Sequence, residues 1–165
     1  MNFSRFVNYK LLLVGLATFT IGAVVSGCGS RDDSTPVACL EGAAAYERAL
    51  DAAPGEVRLG GATPISDCLA PNQTAGELAQ VGEALVEAAT ELNAEARAKA
   101  GSEAALQLGY LLGAAQSGSE ESEGIHSDLV RRLTVAARYA PGDQPLTEKF
   151  LAAYRRGFKA GRDDG

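Results

Sequence analysis

Three cysteines and one histidine carry most of the chemical potential of this 165-residue chain, and their spacing limits what they can do. Cys39 and Cys68 stand 29 positions apart and His126 is far from both, a set too sparse for a four-ligand zinc site. His126 could act as a general base, with Glu123 or Asp128 beside it in sequence. No G-x-S-x-G turn accompanies it to present an activated nucleophile. The alternative is a partly exposed polar residue near a helix start. Glu83, Glu87 and Glu91 recur every four residues. Carboxylate pairs perform glycosidase chemistry, but such acids usually come from separate elements, one of them in an apolar pocket. Along one helix the spacing reads as a solvated face with slight mutual repulsion. Phosphate-cradling, dinucleotide-binding and calcium-loop motifs are missing from the sequence. No catalytic residue is assigned, and neither a metal nor a cofactor is expected.

The third cysteine has a different context. Val25-Ser26-Gly27-Cys28 closes a chargeless, largely apolar run of 15 residues from Leu11 to Val25, preceded by Arg5 and Lys10. Cations, an apolar stretch and small residues before a cut are the parts of a secretory signal. With a cysteine at the cut, the segment resembles the signal segments of bacterial lipoproteins. That resemblance covers residues 1–28 only; residues 29–165 resemble no family. It implies cleavage after Gly27, a diacylglyceryl group on the Cys28 thiol and acylation of the new amino terminus in many bacteria. An uncleaved signal anchor remains open, although a spanning helix needs about 20 apolar residues. So does an ordinary secreted protein. For the first two, Arg5 and Lys10 hold the N-terminus in the cytoplasm and place everything after residue 30 on the outer side. Gly29 stands where an aspartate marks inner-membrane retention in double-membrane bacteria, so the resemblance favours outer-membrane sorting where that membrane exists.

If Cys28 carries lipid, Cys39 and Cys68 remain as an even pair in an oxidising compartment. Two readings of the pair are open: a disulfide, or two buried free thiols. A bridge would close a loop of 30 residues counting both ends. Chain entropy assigns such a loop about 3.5 kcal/mol. Cleavage after Gly27 leaves residues 28–165, 138 of the 165, enough for one domain. Without tryptophan and with much alanine, its core buries little apolar area per residue.

Periodicity predicts helices almost throughout. Thr35 and Pro36 have the N-cap and N1 chemistry of a helix start. Cys39, Ala43, Tyr46, Leu50 and Ala53 would line its face up to Pro54-Gly55. Residues from about 55 to 73 form one long irregular loop, with a short strand possible at Val57–Leu59. Thr74 and Glu77 match a capping box, followed by the stripe Leu78, Val81, Leu85, Ala89, Leu92, Ala96. Gly101-Ser102 reads as a turn or a kink. Leu108, Leu111, Leu112 and Ala115 carry a helix to Gln116, and 117–123 reads as a polar joint. Ile125, Leu129, Leu133 and Ala136 define the next helix. Pro145 opens the last, with Phe150, Gly157 and Phe158 inward. Gly109-x-x-x-Gly113 and Gly157-x-x-x-Gly161 read as smooth faces for close helix approach. The expected fold is an all-α bundle of four or five helices, with residues 1–27 as signal, 28–35 as lipidated cysteine and tether, and 36–165 as a single domain.

Charge is divided unevenly. Residues 28–124 hold 5 cations and 16 acids, whereas 125–165 hold 8 cations and 5 acids. So acidic a chain is a poor partner for nucleic acid. Arg155, Lys159 and Arg162 share a helical face with Arg156 beside it, a candidate contact face toward an anionic surface or an envelope protein. The expectation is therefore a lipid-anchored, extracytoplasmic interaction or structural module. The rivals are a small hydrolase near His126 and a small-ligand binder with a pocket between helices.

Overall fold

Thr74 opens the longest helix as the sequence predicts. Its hydroxyl accepts from Glu77 N–H while the Glu77 carboxylate accepts from Thr74 N–H at 2.8 Å, completing the capping box. The computed structural model describes residues 34–99, 102–122, 124–140 and 144–165, all within one compact unit, Arg31–Gly165. Those residues contain five α-helices: α1 Ala43–Leu50, α2 Ala75–Ala98, α3 Ala104–Glu121, α4 Ser127–Arg138 and α5 Glu148–Asp164. The fold is an all-α bundle. Cys28 and the whole signal segment lie outside the described residues.

The first helix is broken in two. Pro36 precedes a 3₁₀ turn, Val37–Leu40, and Gly42 at φ +80° separates it from α1. That left-handed backbone is cheap only for glycine. Thr35 does not cap the turn; its hydroxyl instead accepts from Gln73, 38 residues on. No strand forms around Val57. Leu59 and Thr63 make an isolated bridge within the loop.

The long loop is irregular but belongs to the core, since Val57, Leu59, Ile65, Cys68 and Leu69 are all buried. A second 3₁₀ turn, Ser66–Cys68, packs on α3, where a side chain at Gly118 would meet the Ser66 carbonyl at 2.3 Å. That contact explains why α3 runs on through the expected polar joint to Glu121. Cys68 is disulfide-bonded to Cys39, with the two Cα atoms 5.4 Å apart. The bridge ties the loop to the turn before α1, and Tyr46 donates to the Cys39 carbonyl beside it.

The tightest packing in the molecule is between α3 and α5. Ideal Cβ atoms at Gly109 and Gly113 would meet the carbonyls of Tyr154 and Phe158 at 2.1 and 2.2 Å. Reciprocally, Cβ atoms at Gly157 and Gly161 would meet those of Leu106 and Tyr110 at 1.9 and 2.1 Å. Partner numbers rise together, so the helices run parallel, with α4 between them in sequence. At these four glycines backbone rests on backbone, with no room for a side chain between the helices.

Helix α5 begins later than Pro145. Thr147 is its N-cap and accepts from Phe150 N–H at 3.1 Å. Helix α4 buries Leu129, Leu133 and Ala137 and is held at its C-terminal end by α2. Asn93 donates to the carbonyls of Ala136 and Tyr139, and Arg97 donates to Asn93 and to the Arg138 carbonyl. These bonds satisfy carbonyls that a helix end leaves open.

Candidate functional site

His126 sits at the N-cap of α4 with none of its surface exposed. It is not the partly exposed polar residue expected there. Ile125, expected in the core stripe, lies outside the helix and is 57 % exposed. A polar ring can replace an isoleucine inside only when its nitrogens are bonded. His126 Nε2 lies 2.6 Å from Gln73 Oε1 and Nδ1 lies 2.6 Å from Ser122 Oγ.

The donors can be followed outward. Gln73 Nε2 donates to Thr35 Oγ1 and to the Cys68 carbonyl, so its oxygen faces the ring and His126 carries its proton on Nε2. On the other side of the ring Nδ1 lies against the Ser122 hydroxyl, which itself donates to the Ser119 carbonyl at 2.9 Å. Burial pulls the His126 pKa below its ordinary value. Neither carboxylate near it in sequence joins this network: Asp128 pairs with Arg131, and Glu123 lies outside the described residues. The ring links the entry of the chain, the disulfide loop and the α3–α4 junction.

A second cluster was not legible in the glutamate spacing. Glu83, Glu87 and Glu91 are exposed on α2 as expected, but Glu47 of α1, half-buried, lies beside Glu87, Glu91 and Glu95. One of its oxygens, Oε1, is sealed from solvent. Burial, a hydrogen bond to the Glu91 side chain and the nearby charges of Glu91, Glu87 and Glu95 push its pKa up to about 7. Its only sequence signal is its place between Ala43 and Leu50, on the flank of the apolar face.

These two groups drive stability in opposite directions with pH. Unfolding returns His126 to its ordinary value near 6.5, so the unfolded chain takes up the proton first and stability falls as pH drops below about 6.5. Glu47 retains its proton in the folded state up to about 7 but loses it near 4.5 when unfolded, so its contribution is lost as pH rises from 4.5 to 7. Glu47→Gln should therefore gain stability relative to wild type progressively between those values, then plateau. The cost of His126→Ala should be largest above pH 6.5 and shrink on acidification. Urea midpoints measured across this range check both; parallel profiles for all three proteins would refute the assignment.

The basic residues of α5 divide into two groups. Lys159 pairs with Asp163 one turn on, and Arg162 pairs with Glu120 of α3. Neither uses the α2 glutamates. Arg155 and Arg156 are exposed and have no ion pair among the described residues. Arg155 borders a groove of about 290 Å³ with Arg138 and Phe158. Arg156 borders one of about 770 Å³ with Lys149, Arg97, Leu106 and Phe150, in which the Arg97 guanidinium lies 5.8 Å over the Phe150 ring.

Among the described residues, no group of three or more His, Cys, Asp or Glu is placed to hold a metal ion, and no helix is long and apolar enough to cross a membrane. By architecture the described residues form a disulfide-clamped, all-α domain with five α-helices. Comparison with protein-family models, curated proteins and solved structures finds no match to the chain.

Proposed function

We propose that the protein is a lipid-anchored extracytoplasmic domain that acts by contact, as an interaction or structural module of the cell envelope. The observation that carries this reading is a contrast. His126 is sealed and both its nitrogens are engaged internally, whereas Arg155 and Arg156 stand exposed on α5 with no ion pair among the described residues. The Val25–Cys28 segment supplies the anchor, and the seven residues Gly29–Thr35 reach at most about 25 Å, which keeps the domain close to the bilayer. A hydrolase using His126 would need that ring uncovered. The ligand-binding alternative is favoured by one feature, the groove lined by Lys149, Arg156, Leu106 and Phe150, which would suit an anion with an apolar body.

The decisive test is on protein exported by its native host. Intact-mass analysis should show a chain beginning at Cys28 with a thioether-linked diacylglycerol, and membrane fractions should retain it, since two or more acyl chains anchor stably. A chain that still carries Met1–Gly27, or a soluble form with an unmodified cysteine, would overturn the reading. In the same preparation, Arg155→Gln with Arg156→Gln should weaken salt-sensitive contact with an anionic surface more than Lys159→Gln with Arg162→Gln, whose charges are already matched.

A further inference from the structure

The large apolar side chains most exposed among the described residues are not scattered. They are Val37 at 78 %, Val135 and Tyr139 at 64 %, and Ile125 at 57 %. Ile125, Val135 and Tyr139 all belong to α4 or its ends, and Val37 follows directly on the entry of the chain. On the wheel of α4, Arg131, Val135 and Arg132 fall on one outward arc, with Tyr139 continuing it and Arg138 at its edge. The inward side of the same helix carries Leu129, Leu133 and Ala137. Val135 and Tyr139, with Val86 and Thr90 of α2, line a shallow groove of about 480 Å³ flanked by Arg131 and Arg132.

Charge on this arc is strongly one-sided. Asp128 is its one acid and is held by Arg131; Arg132 and Arg138 are exposed without an ion pair among the described residues. Arg138 shares the neighbouring groove with Arg155, so the arc continues onto the unpaired part of α5. An arginine-flanked strip with a tyrosine and two aliphatic side chains is suited to the headgroup region, where anionic lipids attract arginine and amphipathic rings settle.

The position of the chain entry favours a bilayer over other occupants. Thr35 is joined through Gln73 to His126, the N-cap of α4, so the tether leaves beside one end of this helix. The 12 residues of α4 span about 18 Å, within reach of the short tether. Both ends of α4 are fastened inward, by His126 and by Asn93 and Arg97, which leaves its outer arc as a fixed surface.

We propose that the outward face of α4, with Arg131, Arg132, Arg138, Val135 and Tyr139, is the surface on which the domain rests against an anionic bilayer, directing the glutamates of α2 elsewhere. This deepens the lipid-anchored reading and rests on it.

The chain contains no tryptophan, so one introduced residue reports alone. Lipidated full-length mature protein carrying Val135→Trp would be reconstituted into phosphatidylcholine vesicles with and without phosphatidylglycerol, beside Glu87→Trp on α2. With phosphatidylglycerol, the residue-135 probe should shift to the blue and be quenched roughly twofold or more by brominated acyl chains; the residue-87 probe should stay water-like. Changing Arg131, Arg132 and Arg138 to Gln should abolish the shift. A water-like residue-135 probe on protein that floats with anionic vesicles would overturn this inference and leave the lipid anchor standing. A shift that rises with protein density and is insensitive to brominated lipid would assign the face to a second copy instead, and also overturn it. Failure of the native lipidated protein to float would remove the anchor and this inference together.

Discussion

Gly157→Ala is expected to destabilise the protein by about 2–4 kcal/mol, although alanine is the better helix former by about 1 kcal/mol. The added Cβ would lie 1.9 Å from the Leu106 carbonyl oxygen and 2.8 Å from its carbon. Both atoms belong to the backbone of α3, so no side-chain rotation relieves the clash. The helices must separate by about an ångström, and that separation opens the contacts at Gly109, Gly113 and Gly161 as well. Overpacking usually costs about 1–3 kcal/mol, and a contact between two backbones belongs at or above the top of that range. Gly82→Ala is the control. It also lies in a buried helical stretch, but its Cβ would meet Leu129 Cδ1 at 3.5 Å, an ordinary contact. That change should be neutral or stabilising by up to about 1 kcal/mol. Urea unfolding of the two variants should give midpoints shifted in opposite directions, or at least strongly unequal. Equal shifts would mean that the α3–α5 seam does not hold the backbones together.

Loss of the Cys39–Cys68 bridge should have an effect of similar size. The cross-link closes a separation of 29 residues, for which the loop-entropy model gives about 3.5 kcal/mol. Both cysteines are fully buried, and Val57, Leu59 and Ile65 depend on the loop lying against the helices. Cys39→Ala and Cys68→Ala should each lower stability by about 2–4 kcal/mol, and the double variant should be little worse than either, because all three open the same loop. An additive double variant, or single variants within about 0.5 kcal/mol of wild type, would show that the loop holds its place without the bridge. A small core of leucine and alanine gives such a cross-link a large share of the total, since domains of this size are stable by only about 5–15 kcal/mol.

Features carried by a few neighbouring residues are legible in the sequence. Thr74-x-x-Glu77 specifies a reciprocal pair of hydrogen bonds within one turn, and both are present. The stripe from Leu78 to Ala96 needs only the 3.6-residue period to declare its inward side: Val81, Leu85, Ala89, Leu92 and Ala96 are buried and Leu78, in the first turn, is half-buried. The two G-x-x-x-G spacings indicated a smooth face, though not that each would be the other's partner. Of the two readings open for Cys39 and Cys68, a disulfide or two buried free thiols, the structure has the disulfide. Arg155 and Arg162 looked alike on the helix; only the position of Glu120 on α3 separates them.

Other features were decided by residues distant in sequence. Ile125 fits the apolar stripe and His126 does not, yet the structure exchanges them. Gln73, 53 positions away, supplies the hydrogen bond that makes a buried imidazole tolerable. Ser117 to Glu121 has the composition of a linker but stays helical, because Gly118 lets the Ser66 backbone rest on α3. Nothing local marks Glu47; it is α2 that brings Glu91 to it. The helical period and the Thr74–Glu77 capping box are local properties, and the sequence determined them unaided. Which helix lies against which, and therefore which histidine is sealed, which carboxyl holds its proton and which arginines remain exposed, depends on contacts between distant segments. Only the tertiary structure decides those, because burial and electrostatic environment belong to the packed neighbours and not to the residue itself.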